Sequence, residues 1–237
     1  CLGTIQFLRA VERLSQNLHR SGARPAGTVG AGLPVRLPFE PNPDPRRVRY
    51  ADVRSGIQQW IDDLANAEAT LAKIKDDHVE LPLHFGLIRL DFNDDGQATD
   101  QEVLWSLYAQ LNTRAGQAVS ADAAKAFVIR FDRGDVAWLR GYCHLLMAMS
   151  EVALAYDGKE LFSRCGHLIF PKTDSPFAEM LRSRGAANSG PDFGLFADLI
   201  AAVHLLNLPL IEANRTEAAL KHLEAMVALS RESWQFY

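Results

Sequence analysis

Twelve consecutive residues carry the clearest chemistry in the chain. They read Asp91-Phe92-Asn93-Asp94-Asp95-Gly96-Gln97-Ala98-Thr99-Asp100-Gln101-Glu102. Oxygen-bearing side chains alternate at Asp91, Asn93 and Asp95, so a turning backbone can aim them at one point. Gly96 follows, where a sharp turn at positive φ would strain any other residue. Gln97 offers its backbone carbonyl, and Thr99 an oxygen directly or through water. Glu102 can close the shell with both carboxylate oxygens. A donor set made only of oxygens suits a hard cation that takes six to eight ligands, and calcium is that ion. Asp91, Asp95 and Glu102 bring three negative charges to a doubly positive ion. Asp94 and Asp100 deepen the local field without needing to touch it.

The spacing matches the pattern D-x-[DN]-x-[DN]-G-x5-E without a break. At average residue usage a chain of this length meets that pattern by chance roughly once in two thousand sequences. On these residues the segment 83–112 resembles the EF-hand family. The resemblance implies a helix–loop–helix unit, bound Ca2+, and ligand roles for Asp91, Asn93, Asp95, Gln97, Thr99 and Glu102. The sequence departs from the family in two places. Ala98 stands at loop position eight, where such loops usually carry a branched apolar residue that pairs with a sister hand. The entering segment is short and contains Gly86. No complete sister loop is found: Asp132-Arg133-Gly134-Asp135 runs on into Val136 and Ala137, and Asp157-Gly158-Lys159-Glu160 is equally incomplete. The remainder of the chain resembles bacterial helical proteins that carry one such loop, a likeness that implies no activity.

Other constellations are thinner. His144 and Glu151 lie seven apart, on one face of the most apolar segment, with Ser150 nearby. Such a pair serves catalysis, a metal, or a satisfied core network, since buried polar groups must find partners. His204 is read the same way. His78 and His84 flank an apolar turn. Arg130, Asp132, Arg133 and Asp135 read as a surface ion-pair cluster at a helix start. The chain has no HExxH or CxxC, no P-loop or GxGxxG, and no GxSxG. Zinc, c-type haem, nucleotide and hydrolase-elbow chemistry therefore have no motif behind them.

The elements that must hold the loop are helical. Residues 4–20 repeat apolar side chains at three and four (Ile5, Leu8, Val11, Leu14, Leu18) and stop at Ser21-Gly22. Residues 22–47 are rich in Gly and Pro. Alternate prolines at 41, 43 and 45 exclude a helix there, so the segment reads as an extended linker, with Val35, Leu37 and Phe39 as an apolar edge. Helices are predicted over 50–75, 83–90, 100–112, 120–129 (Ser120 as cap), 135–156 and 158–168. Further helices are predicted over 176–183 and from Pro191 to about Leu206. Asn214-Arg215-Thr216-Glu217 reads as a capping box opening a last helix to about Trp234. No segment shows strand alternation. The fold expectation is all-α: one domain over 1–237, a multi-helix bundle or an irregular stack of helix pairs, with the EF-hand-like unit at 83–112.

Composition fits that picture. The 237 residues are 48% hydrophobic and 23% charged with a net charge of −4, as in ordinary globular chains and without a basic block for nucleic acid. The longest apolar stretch, 141–156, is too short for a membrane span and contains His144 and Glu151. Cys143 and Cys165 lie at unequal distances from a turn near Asp157-Gly158, a mismatch of roughly 9 Å along paired helices. They read as buried thiols, with a disulfide to Cys1 open in an oxidising compartment. Cys1 precedes the first periodic segment with no spacer, which speaks against a lipidated end.

Dense charge in a single loop points to a structural, constitutively filled calcium site. The expected function is binding or scaffolding, as a subunit of a larger assembly with protein partners. A calcium-rich periplasmic or secreted setting follows, since weak affinity suffices there. Two other classes stay open: a hydrolase using His144 or His204 in a helical cleft, and a calcium sensor that exposes apolar surface on binding.

Overall fold

The computed structural model describes residues 2–23, 42–99, 102–104, 126–174 and 208–236. Five helices dominate them: α1 (Leu2–Arg20), α2 (Tyr50–Leu71), α3 (Arg133–Ala155), α4 (Lys159–Ile169) and α5 (Ala213–Ser233). The expected all-α character is therefore seen. A single two-stranded sheet accompanies them among the described residues, β1 (Leu81–Leu83) antiparallel to β2 (Ile129–Phe131).

Each helix end has a local cause. At the end of α1 the Ala23 N–H donates to the Leu18 carbonyl and the Gly22 N–H to the His19 carbonyl, at 2.9 and 2.8 Å. This is a Schellman stop with glycine in the left-handed position, φ 65°. A Cβ on Gly22 would also lie 2.5 Å from Pro45 Cβ, so both conformation and space demand glycine. Asp132 and Asp135 close a reciprocal box over the start of α3: the Asp132 carboxylate accepts the Asp135 N–H at 3.1 Å, and the reverse bond is 3.0 Å. The Asp52 carboxylate accepts the Arg49 N–H at the start of α2.

The main core lies where three helices meet. Ala10 and Val11 of α1, Trp60, Ile61 and Leu64 of α2, and Cys143, Leu146, Met147 and Leu154 of α3 form one buried cluster. Helix α5 lies along α3, with Gly141 facing Leu229 at the contact. Residues 156 and 210 bridge antiparallel, bringing α5 back beside the end of α3.

Several expectations change. Residues 83–90 do not form a helix. Leu83 ends a strand, Phe85–Leu87 make one 3-10 turn, and Ile88 is extended. Arg89 then bridges Val103 antiparallel, with Leu90 N–H donating to the Glu102 carbonyl at 3.0 Å and Leu104 N–H to the Ile88 carbonyl at 2.9 Å. Pro82 and Gly86 disfavour a helix here, and the extended course lets Leu90, Phe92 and Leu104 bury together. Ile129 lies in β2 rather than in a helix over 120–129, whose residues 120–125 fall outside the described set. Helix α2 stops at Leu71, not near 75, because the chain tightens (Ile74 N–H to the Leu71 carbonyl, 3.0 Å) and turns Ile74 back onto Leu71 and Val136.

Helix α5 begins one residue before the expected box. Asn214 therefore lies inside the helix with Glu212 at the cap position, and Glu217 pairs with Lys221 rather than closing the predicted box. Of the helix predicted over 100–112, Glu102 and Val103 are not helical, since Val103 bridges Arg89, and residues 105–112 lie outside the described set. The stretches predicted over 176–183 and 191–206, and most of the linker, including Val35, Leu37 and Phe39, also lie outside it. No helix among the described residues is long and apolar enough to cross a membrane.

Candidate metal centre

The loop 91–99 is built from its own hydrogen bonds. Asp91 accepts the Asp94 N–H on one carboxylate oxygen (2.6 Å) and the Gly96 N–H on the other (3.1 Å). Asn93 accepts the Asp95 N–H at 2.9 Å, and Asp95 accepts the Gln97 N–H at 2.8 Å. These are consecutive Asx turns, the way short acidic side chains bend a backbone around a centre. Two residues take the left-handed conformation, Asp94 at φ 66° and Gly96 at φ 79°. A Cβ on Gly96 would meet nothing within 4 Å, so glycine is needed there for its conformation alone.

Glu102 is the most buried of the expected ligands, at 5% exposure. One of its carboxylate oxygens accepts the Phe92 N–H at 2.9 Å. The other accepts the Thr99 N–H (3.0 Å) and the Thr99 hydroxyl (2.9 Å). Thr99 and Glu102 are thus brought together, and both ends of the loop are tied to one carboxylate. Among the described residues no three His, Cys, Asp or Glu side chains gather as a metal-holding group. Asp91, Asp95 and Glu102 accordingly stand as three acids, each turned to N–H groups of the loop. Asp100 and Gln101 are outside the described residues. The donor chemistry fits calcium: Asp91, Asn93, Asp95, Thr99 and Glu102 offer only oxygen, beside a backbone already turned at the required glycine.

Sequence reasoning missed how the loop is held. Helix α1 presents Leu8, Glu12, Ser15, Gln16 and Arg20 to it. Glu12 accepts the Asp91 N–H (2.9 Å) while Gln16 donates to the Asp91 carbonyl (2.9 Å). The Ser15 hydroxyl, wholly buried, donates to the Phe92 carbonyl at 3.1 Å. Phe92 itself is fully buried in a cluster with Leu90 and Leu104, against which Leu8 packs. Arg20 pairs with Asp94. The guanidinium's hydrogen bond holds the Asp94 carboxyl below its usual range, while Asp94 lifts Arg20. The available signal was Ser15-Gln16 interrupting the apolar repeat of α1.

The second polar group lies between helices. His144 and Glu151 share a face of α3 but do not meet. Each finds a partner on α5: His144 Nδ1 lies 2.8 Å from His222 Nδ1, and Arg215 donates to Glu151 at 2.8 Å. These two pairs run antiparallel in one register, so the seven-residue spacing on α3 is answered by the seven between Arg215 and His222, and Arg133 to Glu232 (2.6 Å) continues the row one residue out of step. On α2, Glu68 pairs with Arg140 at 2.9 Å and stands 3.7 Å from His144 Nε2. The nearby His144 draws the Glu68 carboxyl below its usual range, with the bonded Arg140 helping against burial. Burial, then the neighbouring His144, lowers His222.

Arg54 caps the end of α3 by donating to the Leu154 and Tyr156 carbonyls (2.8 and 3.2 Å) and also pairs with Glu212. Ser150 donates to the Leu146 carbonyl of its own helix. Arg133 is buried, not at the surface as expected, and reaches Glu232 and Asp77, while Asp132 and Asp135 cap the start of α3. His78 and His84 are exposed, and His204 lies outside the described residues. Cys143 is a buried thiol, which burial pushes up to about 12.

No family model, curated protein or solved structure matches this chain.

Proposed function

We propose that the loop 91–102 binds one calcium ion as a structural site, in a helical protein that acts by binding or scaffolding within a larger assembly. The observation that carries the reading is the unbroken ligand pattern lying on a backbone whose pivot, Gly96, sits at φ 79° with open space around it. Asp91, Asn93, Asp95, Thr99, Glu102 and the Gln97 carbonyl would hold the ion. Bound calcium supplies two positive charges to three carboxylates that otherwise repel one another. A single hand suits a permanently filled site rather than a groove-opening switch. A periplasmic or secreted location follows from the modest affinity such a site needs.

Calorimetric titration with calcium tests the assignment. The wild-type chain is expected to bind one ion, and Asp91→Ala and Glu102→Ala are each expected to abolish binding and lower the melting temperature in calcium. Both variants binding as wild type does would remove Asp91 and Glu102 from the site.

A further inference from the structure

The five α1 side chains that reach the loop do not simply pack beside it. Both backbone polar groups of Asp91, the first ligand position, are held by α1: the N–H by Glu12 and the carbonyl by Gln16, each at 2.9 Å. The next residue has its carbonyl held by Ser15 and its ring buried against the cluster that Leu8 completes. The fourth loop residue is paired to Arg20. Loop position eight, where a sister hand would attach, is the exposed Ala98. The opposite face of α1, with Phe7, Ala10, Val11 and Leu14, closes the main core over α2 and α3. One helix therefore touches the candidate metal loop on one side and the core on the other.

We propose that α1 takes the place of the missing sister hand, so that calcium binding and the docking of α1 form one coupled equilibrium. This rests on the calcium reading above. When the ion draws in the Asp91 carboxylate, it fixes the backbone that Glu12, Ser15 and Gln16 grip, and so latches α1 over the core. When the ion leaves, repulsion among Asp91, Asp95 and Glu102 loosens the same backbone and with it the helix. Coupling of this kind is reciprocal: α1 must raise calcium affinity by the factor by which calcium strengthens α1 docking.

Hydrogen–deuterium exchange on the full chain, with calcium and with a chelator, reads this directly. Chelation is expected to speed exchange of the α1 amides by roughly tenfold relative to those of α3 and α5. Gln16→Ala, which leaves every loop ligand in place, is expected to weaken calcium binding by a similar factor. Glu12→Ala should do the same, while Glu12→Gln, which keeps an acceptor for the Asp91 N–H, should recover most of the affinity. Calcium binding with unchanged α1 exchange would overturn the latch and leave the metal site standing. A wild-type chain that binds no calcium would overturn both. Should either variant fail to fold, the wild-type exchange comparison still decides.

Discussion

The interface of α2, α3 and α5 and the loop 91–99 are both rich in charge, and they satisfy it in opposite ways. Between the helices every acid named has a cation: Glu151 has Arg215, Glu212 has Arg54 and Arg215, Glu68 has Arg140, and Glu232 has Arg133. In the loop, Asp91, Asp95 and Glu102 are met by backbone N–H groups instead. Neutral donors orient a carboxylate without cancelling its charge. The first region is electrostatically finished, and its polar groups specify the register of two helices. The second keeps net negative charge around a turned backbone, the condition that favours a cation.

Breaking the finished region should have the largest effect. Arg215→Ala leaves Glu151, only 8% exposed, without its cation. The expected loss is about 3–5 kcal/mol in urea unfolding, because a lone buried charge costs more than the pair gains. A loss below 1 kcal/mol would mean that Glu151 finds water or another donor. Calcium addition should be the next effect in size. At a hundredfold excess over its dissociation constant the ion should stabilise the wild type by about 2.7 kcal/mol. The same increment is expected in Arg215→Ala if the two regions are independent, and unequal increments would show that they are coupled.

Gly96→Ala tests the loop more gently. Forcing a Cβ into the left-handed region should cost about 1–2 kcal/mol and weaken calcium binding, although the side chain has room. Wild-type affinity would show that the turn relaxes elsewhere.

Acid should reveal the interhelical side again. His222 faces His144 on α3, with Glu68 and Glu151 as the nearby acids and Arg140 tied to Glu68. Its pKa in the fold lies below the ordinary value of 6.5, so between the two values the unfolded chain holds the extra proton. Stability should fall as pH drops through 6.5 and level off below the folded value. Glu68, held below its ordinary 4.5, contributes stability present above that value and lost as pH falls further. Thermal melts from about pH 8 down to about pH 2 check both. His222→Gln should remove the upper step and spare the lower, and an unchanged upper step would shift the assignment to another histidine.

The smallest effect should come from Arg20→Ala. Its pair with Asp94 is largely solvent-exposed, so a loss of at most about 1 kcal/mol is expected, shrinking in high salt. A loss that salt leaves unchanged would mean that the Arg20 stem contributes by packing.

The same contrast explains what could be read from the sequence. The stop at Gly22, the bodies of α1 to α4 and the interrupted linker at 42–47 follow from local signals: apolar spacing, glycine past a helix end, and proline in alternation. The turn of the loop was legible because Gly96 and the short acidic side chains that bend the backbone sit within twelve residues. The arms of the loop were not, since Arg89 and Val103 pair as strands across it, and short apolar runs do not declare helix or strand by themselves. The α1 clamp was hidden for a related reason. Glu12 and Asp91 are 79 residues apart, and only packing brings them together. The histidine pair was half visible, as a spacing on α3 whose answering spacing on α5 went unread.

The thiol of Cys143 sits where α3 meets the core, with its ionisation pushed up to about 12. At pH 8 only roughly one such thiol in ten thousand is a thiolate, and thiolate is the form that alkylating reagents attack. Wholly buried as it is, its modification, followed by peptide mass, requires the helices to part and reports how often they do. The chain carries its own reporter of opening at the centre of its interior.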